Sequence, residues 1–200
     1  MDEILRIVLP LYLAAYFGIA FVWRSVAVWK QTGVNPYVLG KTDNAHDFIG
    51  VVFRLTFALI VAVIIVFAFF APFYKYAAPF VWLEHQRVKT IGLVLLAASL
   101  VWTAIAQIQM GASWRIGIDE KNRTELVQSG LFGVSRNPIF FGMRVVLLGF
   151  FLTLPNALTL LAMVLGDVLM QIQVRLEEEF LKSAHGENYE AYFQNVRRWI

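Results

Sequence analysis

The chain has 200 residues, 59% of them hydrophobic and 16% charged, with a formal net charge of +3. A soluble domain of this size carries about 25% charged residues, so too few polar side chains remain here to coat a large core, and a bilayer is the better solvent. There is no cysteine, which excludes disulfides, thiolate metal sites, a cysteine nucleophile and lipidation of the chain's own thiols; the modest positive charge points to loops beside anionic lipid and not to a nucleic-acid partner.

The chain opens Met1-Asp2-Glu3 and then runs apolar. A secretory signal needs a basic start and a small-residue cleavage site, and neither is evident, so residues 7–23, between Arg6 and Arg24, read as a retained first span. A helix needs about 20 apolar residues to cross a bilayer. A second span is predicted over 55–71, extending back to 48 with Arg54 in its first turns. Asp43, His46 and Asp47 precede it without a convincing ligand spacing and read as a helix cap rather than a metal site. The aromatics of 73–82, around Pro79, form an expected interfacial segment on the outer side. Residues 90–110 are the cleanest span.

The stretch 145–166 has no charge and could be one span, but Leu154-Pro155-Asn156 interrupts it with turn chemistry. A hairpin of two spans, 138–153 and 157–174, is the preferred reading. It sets Arg144 and Asp167 inside the membrane at similar depth on antiparallel neighbours, where each relieves the cost of the other. The fold expected is all-α: a single membrane domain over 1–200 with about five transmembrane helices, the last two a helical hairpin, and a cytoplasmic C-terminal helical tail. Residues 1–110 supply three spans; 111–200 supply a loop, the hairpin and the tail.

With five spans, Arg24, Lys30, Lys41, Arg115, Lys121, Arg123, Arg136, Arg175, Lys182, Arg197 and Arg198 fall on one side, and Arg6, Lys75, Arg87 and Lys89 on the other. The positive-inside rule makes the first side cytoplasmic, with the N-terminus outside and the C-terminus inside. The expected location is the plasma (inner) membrane of a prokaryote. The tail should continue the last span, break at His185-Gly186 and resume over 187–196, with Tyr189, Tyr192, Phe193 and Val196 at helical spacing as a packing stripe.

Two polar features meet on the cytoplasmic face. Glu177-Glu178-Glu179 follows the last span; it is either a solvated helix end or a set of carboxylates that binds a cation or a ligand amine. Ser135-Arg136-Asn137-Pro138 starts the fourth span with good N-terminal grammar. It is either a plain cap or a place where free helix N–H groups hold a ligand. The hairpin brings Asn137 and Glu177 to the same face, and an electropositive helix start beside a carboxylate suits a zwitterion.

Together these motifs resemble the isoprenylcysteine carboxyl methyltransferase family and its phospholipid N-methyltransferase relatives, small multi-helix membrane enzymes that use S-adenosylmethionine. The resemblance runs from about Met110 to the C-terminus. It rests on Leu126-Val127-Gln128-Ser129-Gly130-Leu131-Phe132, on Arg136-Asn137-Pro138-Ile139-Phe140-Phe141-Gly142, and on Glu177-Glu178-Glu179-Phe180-Leu181. His185-Gly186, Tyr189, Tyr192 and the closing Val196-Arg197-Arg198-Trp199-Ile200 complete it.

The resemblance implies a cofactor pocket formed by Glu125, Leu126, Val127, Phe132, Arg136, Asn137, Pro138 and Phe140, with Glu177 or Glu178 on the ammonium group. It departs from the prenylcysteine enzymes at Asn137 (His in those enzymes), at Phe140 (Tyr) and at Gln173, where their substrate-binding Arg stands. Arg175 is the nearest replacement, and Trp114 and Arg115 either join a pocket or anchor the chain at the interface.

The reaction implied is methyl transfer to a lipophilic small-molecule, prenylated or lipid acceptor from the bilayer, with an isoprenylcysteine-type carboxylate as the first choice and a phospholipid amine as the alternative. A carboxylate acceptor needs no general base. An amine acceptor must lose a proton, and Glu178 or Glu179 is the candidate to take it. The rival from another class is a non-catalytic assembly or transport protein, with Arg54, Arg144 and Asp167 marking a polar pathway.

Overall fold

The computed structural model describes residues 1–38, 45–117, 122 and 124–200. Among these residues all regular structure is helical, with only the isolated bridges Tyr37–Ile116 and Pro79–Asn156. Asp43 and the loop charges Lys41, Lys121 and Arg123 lie outside the described residues.

The first helix does not stop at Arg24. α1 (Asp2–Phe17) passes through a π-helical turn, Gly18–Trp23, into α2 (Arg24–Thr32), giving one apolar rod of 31 residues. It ends at Gly33, whose φ of +71° closes the last turn in the left-handed region that glycine adopts without a Cβ clash. The sequence marked Arg24 as a flank because it is charged; the fold instead buries it.

α3 (Ala45–Phe69) and α4 (Gln86–Met110) follow. Both turn apolar faces outward at Phe48, Leu55, Phe69, Ile91, Val94 and Val101, as helices solvated by lipid do. Between them lie the short 3-10 turns Ala71–Ala77 and Val81–Leu83, with Phe73, Tyr76 and Trp82 exposed.

The hairpin consists of α5 (Pro138–Thr153) and α6 (Ala157–His185), joined at Leu154-Pro155-Asn156. Asn156 makes the turn. Its Oδ1 accepts from the amides of Leu158 and Thr159 at 3.0 Å each, and Thr159 closes a capping box. The connection before α4 locks onto this turn, since Phe80 N–H donates to the Pro155 carbonyl at 2.8 Å and Ala157 N–H to the Ala78 carbonyl at 3.2 Å.

Four helices have the length and apolarity to cross a membrane: Asp2–Thr32, Ala45–Phe69, Gln86–Ser113 and Ala157–His185. α5, with 16 residues, is shorter. It packs tightly on α4: a Cβ added at Gly92 would meet the Thr153 backbone nitrogen at 2.8 Å and the Gly149 carbonyl oxygen at 2.9 Å. Lipid gives helices no hydrophobic reason to associate, so such small-residue contacts carry the packing.

α6, with 29 residues, is about 43 Å long at 1.5 Å per residue, against a hydrocarbon core of about 30 Å. Its last turns therefore project beyond the apolar layer and carry Glu177 and Glu178 out of it. The helix breaks at Gly186, with φ +54°, and α7 (Glu187–Asn195) folds back, burying Tyr189 and Tyr192. The expected break and helical resumption are both present.

Candidate functional site

The projecting end of α6, the start of α5 and the tail converge on Glu178, which is only 7% exposed. Arg198 grips this carboxylate in two-pronged fashion, Nη2 to Oε2 at 2.7 Å and Nε to both oxygens at 3.1 Å. Arg136 binds Oε1 through Nη2 at 3.0 Å and Nε at 3.2 Å. Asn137 donates from Nδ2 to the same oxygen at 3.4 Å. Burial alone would raise this carboxyl, but the bonds to Arg198 and Arg136 outweigh it and hold the group below the ordinary Glu value.

The tail is part of the same construction. Arg136 Nη1 donates to the carbonyls of Phe193, at 2.9 Å, and Val196, and its guanidinium lies 4.1 Å from the Phe193 ring centroid. Ser135 Oγ donates to the Arg198 carbonyl at 3.0 Å, and Tyr192 Oη donates to the Phe132 carbonyl at 2.7 Å. Trp199 carries the guanidinium of Arg144 at 4.6 Å from its ring centroid. Arg144 in turn pairs with Asp167, Nε to Oδ1 at 2.5 Å, so the pair expected from counting residues away from the hairpin turn is formed.

The predicted residues divide into those that meet and those that do not. Arg136, Asn137, Pro138 and Glu178 stand together, with Phe132 buried beside them and Phe140 half-buried one helical turn on. Glu178, not Glu177, is the carboxylate that reaches Asn137. Adjacent positions on a helix point about 100° apart, and Glu177 turns toward α3. There Gln173 Nε2 donates to Glu177 Oε1 at 2.8 Å, and Gln173 Oε1 accepts from His46 Nδ1 at 3.3 Å. Arg175 is exposed and turns back along its own helix to Gln171, at 2.6 Å and 3.0 Å.

Glu125 is exposed, and its carbonyl is tied to Ser113 Oγ at 3.0 Å, while Leu126 and Val127 are half-buried. Trp114 is buried at 3% exposure against Arg24, and Arg115 bonds the carbonyls of Ala112 and Trp114 at 2.7 Å and 2.8 Å.

The sequence places Arg198 in the closing motif, His46 in a helix cap and Arg24 at the flank of the first span; it joins none of them to Glu178, Gln173 or Gly111, the partners the structure gives them. The basic-aromatic end was part of the motif set and was the signal available for Arg198. His46 and Arg24 carried no such signal.

Two cations and one carboxylate thus meet at one end of the α5–α6 hairpin of a chain whose apolar helices mark an integral membrane protein. A family model described as phospholipid methyltransferase matches residues 87–188, and the chain belongs to that family. This bears out the motif resemblance at the level of the related prenylcysteine and phospholipid membrane methyltransferases. An uncharacterized protein of Haemophilus influenzae is similar, 35% identical over 63 residues that make up 31% of this chain and 100% of that relative.

Proposed function

We propose that the protein transfers a methyl group from S-adenosylmethionine to the headgroup amine of a phospholipid that reaches it through the bilayer. The family assignment supports methyl transfer to a lipid. The observation that carries the donor site is the Arg136–Glu178–Arg198 cluster. The amino-acid end of S-adenosylmethionine bears one ammonium and one carboxylate. Glu178 would take the ammonium, and Arg198, whose side chain is 29% exposed, would turn to the carboxylate. Arg136, with a side chain only 7% exposed, would stay as the fixed cation between them. Asn137 and Pro138 would set the start of α5 against the donor, and Phe132 and Phe140 would pack on its apolar parts.

The donor supplies an electrophilic methyl on a sulfonium. The chain's share is to hold both reactants in line and to keep water from the sulfonium. The tail, folded over Glu178 from Arg136 to Trp199, is the element that would exclude water. The topology that fits is the one from charge counting: five spans, N-terminus outside, and the site on the cytoplasmic side of a prokaryotic plasma membrane, where a water-soluble donor arrives.

An isoprenylcysteine-type carboxylate is the second reading, favoured by the motif resemblance. Gln173 counts against it, because a neutral amide bonded to Glu177 stands where those enzymes carry an Arg.

Titration of the purified protein with S-adenosylmethionine tests the donor site. Wild type should bind, with a rise in Tm. Glu178→Gln and Arg198→Gln should each weaken binding at least tenfold, and Asn137→Ala by less. No binding by wild type in lipid or detergent would end the methyltransferase reading in favour of a non-catalytic membrane protein. Radiolabelled methyl transfer to phosphatidylethanolamine, compared with a prenylcysteine analogue and a fatty acid, then decides the acceptor.

A further inference from the structure

Of the three adjacent carboxyl groups near the end of α6, Glu179 is exposed, while Glu177 and Glu178 turn inward and serve different neighbours. Glu178 is neutralised by two guanidinium groups. Glu177 meets no cation among the described residues; its bonded partner is the neutral amide of Gln173. That amide is itself fixed. Because Gln173 Oε1 accepts from His46 Nδ1, its Nε2 must face Glu177 Oε1. The His46–Gln173–Glu177 chain therefore spans from the first turn of α3 to the projecting end of α6. It aims one carboxyl oxygen at Gln173 and leaves Oε2 without a bond among the described residues. Gln173 is 6% exposed and His46 and Glu177 are half-buried, so the arrangement is packed rather than a solvated charge run.

We propose that Glu177 is the general base of the reaction, taking the proton from the ammonium of the phospholipid acceptor at Oε2, with Gln173 and His46 as its positioning residues. This rests on the amine reading given above. A headgroup ammonium has no lone pair and cannot attack. Transfer of one N–H proton to Glu177 Oε2 frees that pair; the amine then forms its new N–C bond to the methyl carbon, and the electron pair of the broken C–S bond stays on sulfur. The product leaves as a secondary ammonium, and the proton on Glu177 passes to water at the membrane surface.

A base must hold its proton about as loosely as the solution does to work in both directions. Burial pushes the Glu177 carboxyl up to about 7, against the Gln173 bond, which lowers it. Glu178 is held in the opposite direction by its two arginines and remains an anion. Two neighbouring carboxyls driven apart in this way divide the work of charge binding and proton transfer.

Glu177→Gln keeps the shape and the bond to Gln173, and it separates this role from donor binding. The expected result is donor affinity equal to wild type, KM for phosphatidylethanolamine within a few-fold, and kcat reduced about 100-fold or more, the usual scale for losing a general base. The loss should shrink below about tenfold with an acceptor whose amine carries β-fluorine atoms, since such an amine is already largely unprotonated and needs less help. Glu177→Asp should recover part of kcat.

Three results would overturn the proposal: loss of donor binding in Glu177→Gln, which would make Glu177 a ligand of the donor; an unchanged kcat; or an equal loss with both amines, which would mark a structural role. Each leaves the donor site on Glu178 standing, whereas a wild type that binds no donor removes both.

Discussion

Arg24 stands where the π-helical turn ends, 6% exposed, with Nη2 on the Gly111 carbonyl at 2.6 Å and the rings of Trp23 and Trp114 each 6.0 Å from its Cζ. Its Nε is enclosed without a partner. Gly111 is the C-cap of α4, so the guanidinium serves the negative end of that helix, yet no carboxylate among the described residues pairs with it. Such a group contributes through one strong bond and its packing, against an uncompensated desolvation cost. Arg24→Ala should lose about 2–3 kcal/mol, the value of a charged hydrogen bond and its packing. Arg24→Met keeps the packing and removes the buried charge, and should lose clearly less. Denaturation of both variants in the same detergent checks the order; equal losses would mean that the bond to Gly111 carries the stability.

At the scale of elements the hairpin is the part that local chemistry makes legible. Pro155-Asn156 fixes the turn because Asn156 satisfies two amides of α6 within three residues of itself. Counting residues from that turn places Arg144 and Asp167 face to face. Removal of either partner strands the other charge at membrane depth, at about 2.5–3.5 kcal/mol on insertion scales. Arg144→Ala and Asp167→Ala should therefore each lower Tm by several degrees, and Arg144→Asp with Asp167→Arg should recover most of the loss. A swap as unstable as the single changes would show that the guanidinium on Trp199, and not the ion pair, is what matters.

The contacts hidden from the sequence are those between elements. His46 meets Gln173 across 127 positions, and Arg24 meets Gly111 across 87. No periodicity or motif joins such pairs; they exist only once α3 lies on α6 and α2 against the end of α4. The choice between Glu177 and Glu178 was open for the same reason, since it depends on which neighbour each face of α6 meets.

The whole molecule is closed at the site end by its last residues. The tail crosses from α7 over the start of α5 and is anchored on a carboxylate of α6 through Arg198. The depressed Glu178 carboxyl ties this closure to pH. A carboxyl held lower in the folded protein than in the unfolded chain stabilises the fold above the ordinary Glu value of 4.5. That contribution fades as pH falls below it and through the depressed folded value. Acid should therefore loosen the tail first, while α1 to α5, packed by apolar and glycine contacts, stay folded. With Trp199 as reporter in a variant whose other tryptophans are replaced, emission should be constant from pH 7 to pH 5 and should change below about pH 4.5. Glu178→Gln leaves two guanidinium groups without their anion, at about 3–5 kcal/mol for breaking a buried pair. Its Trp199 emission should already show the loosened state at pH 7 and respond little to acid. If the acid change persists in Glu178→Gln with the amplitude of the parent, a group other than Glu178 governs the closure.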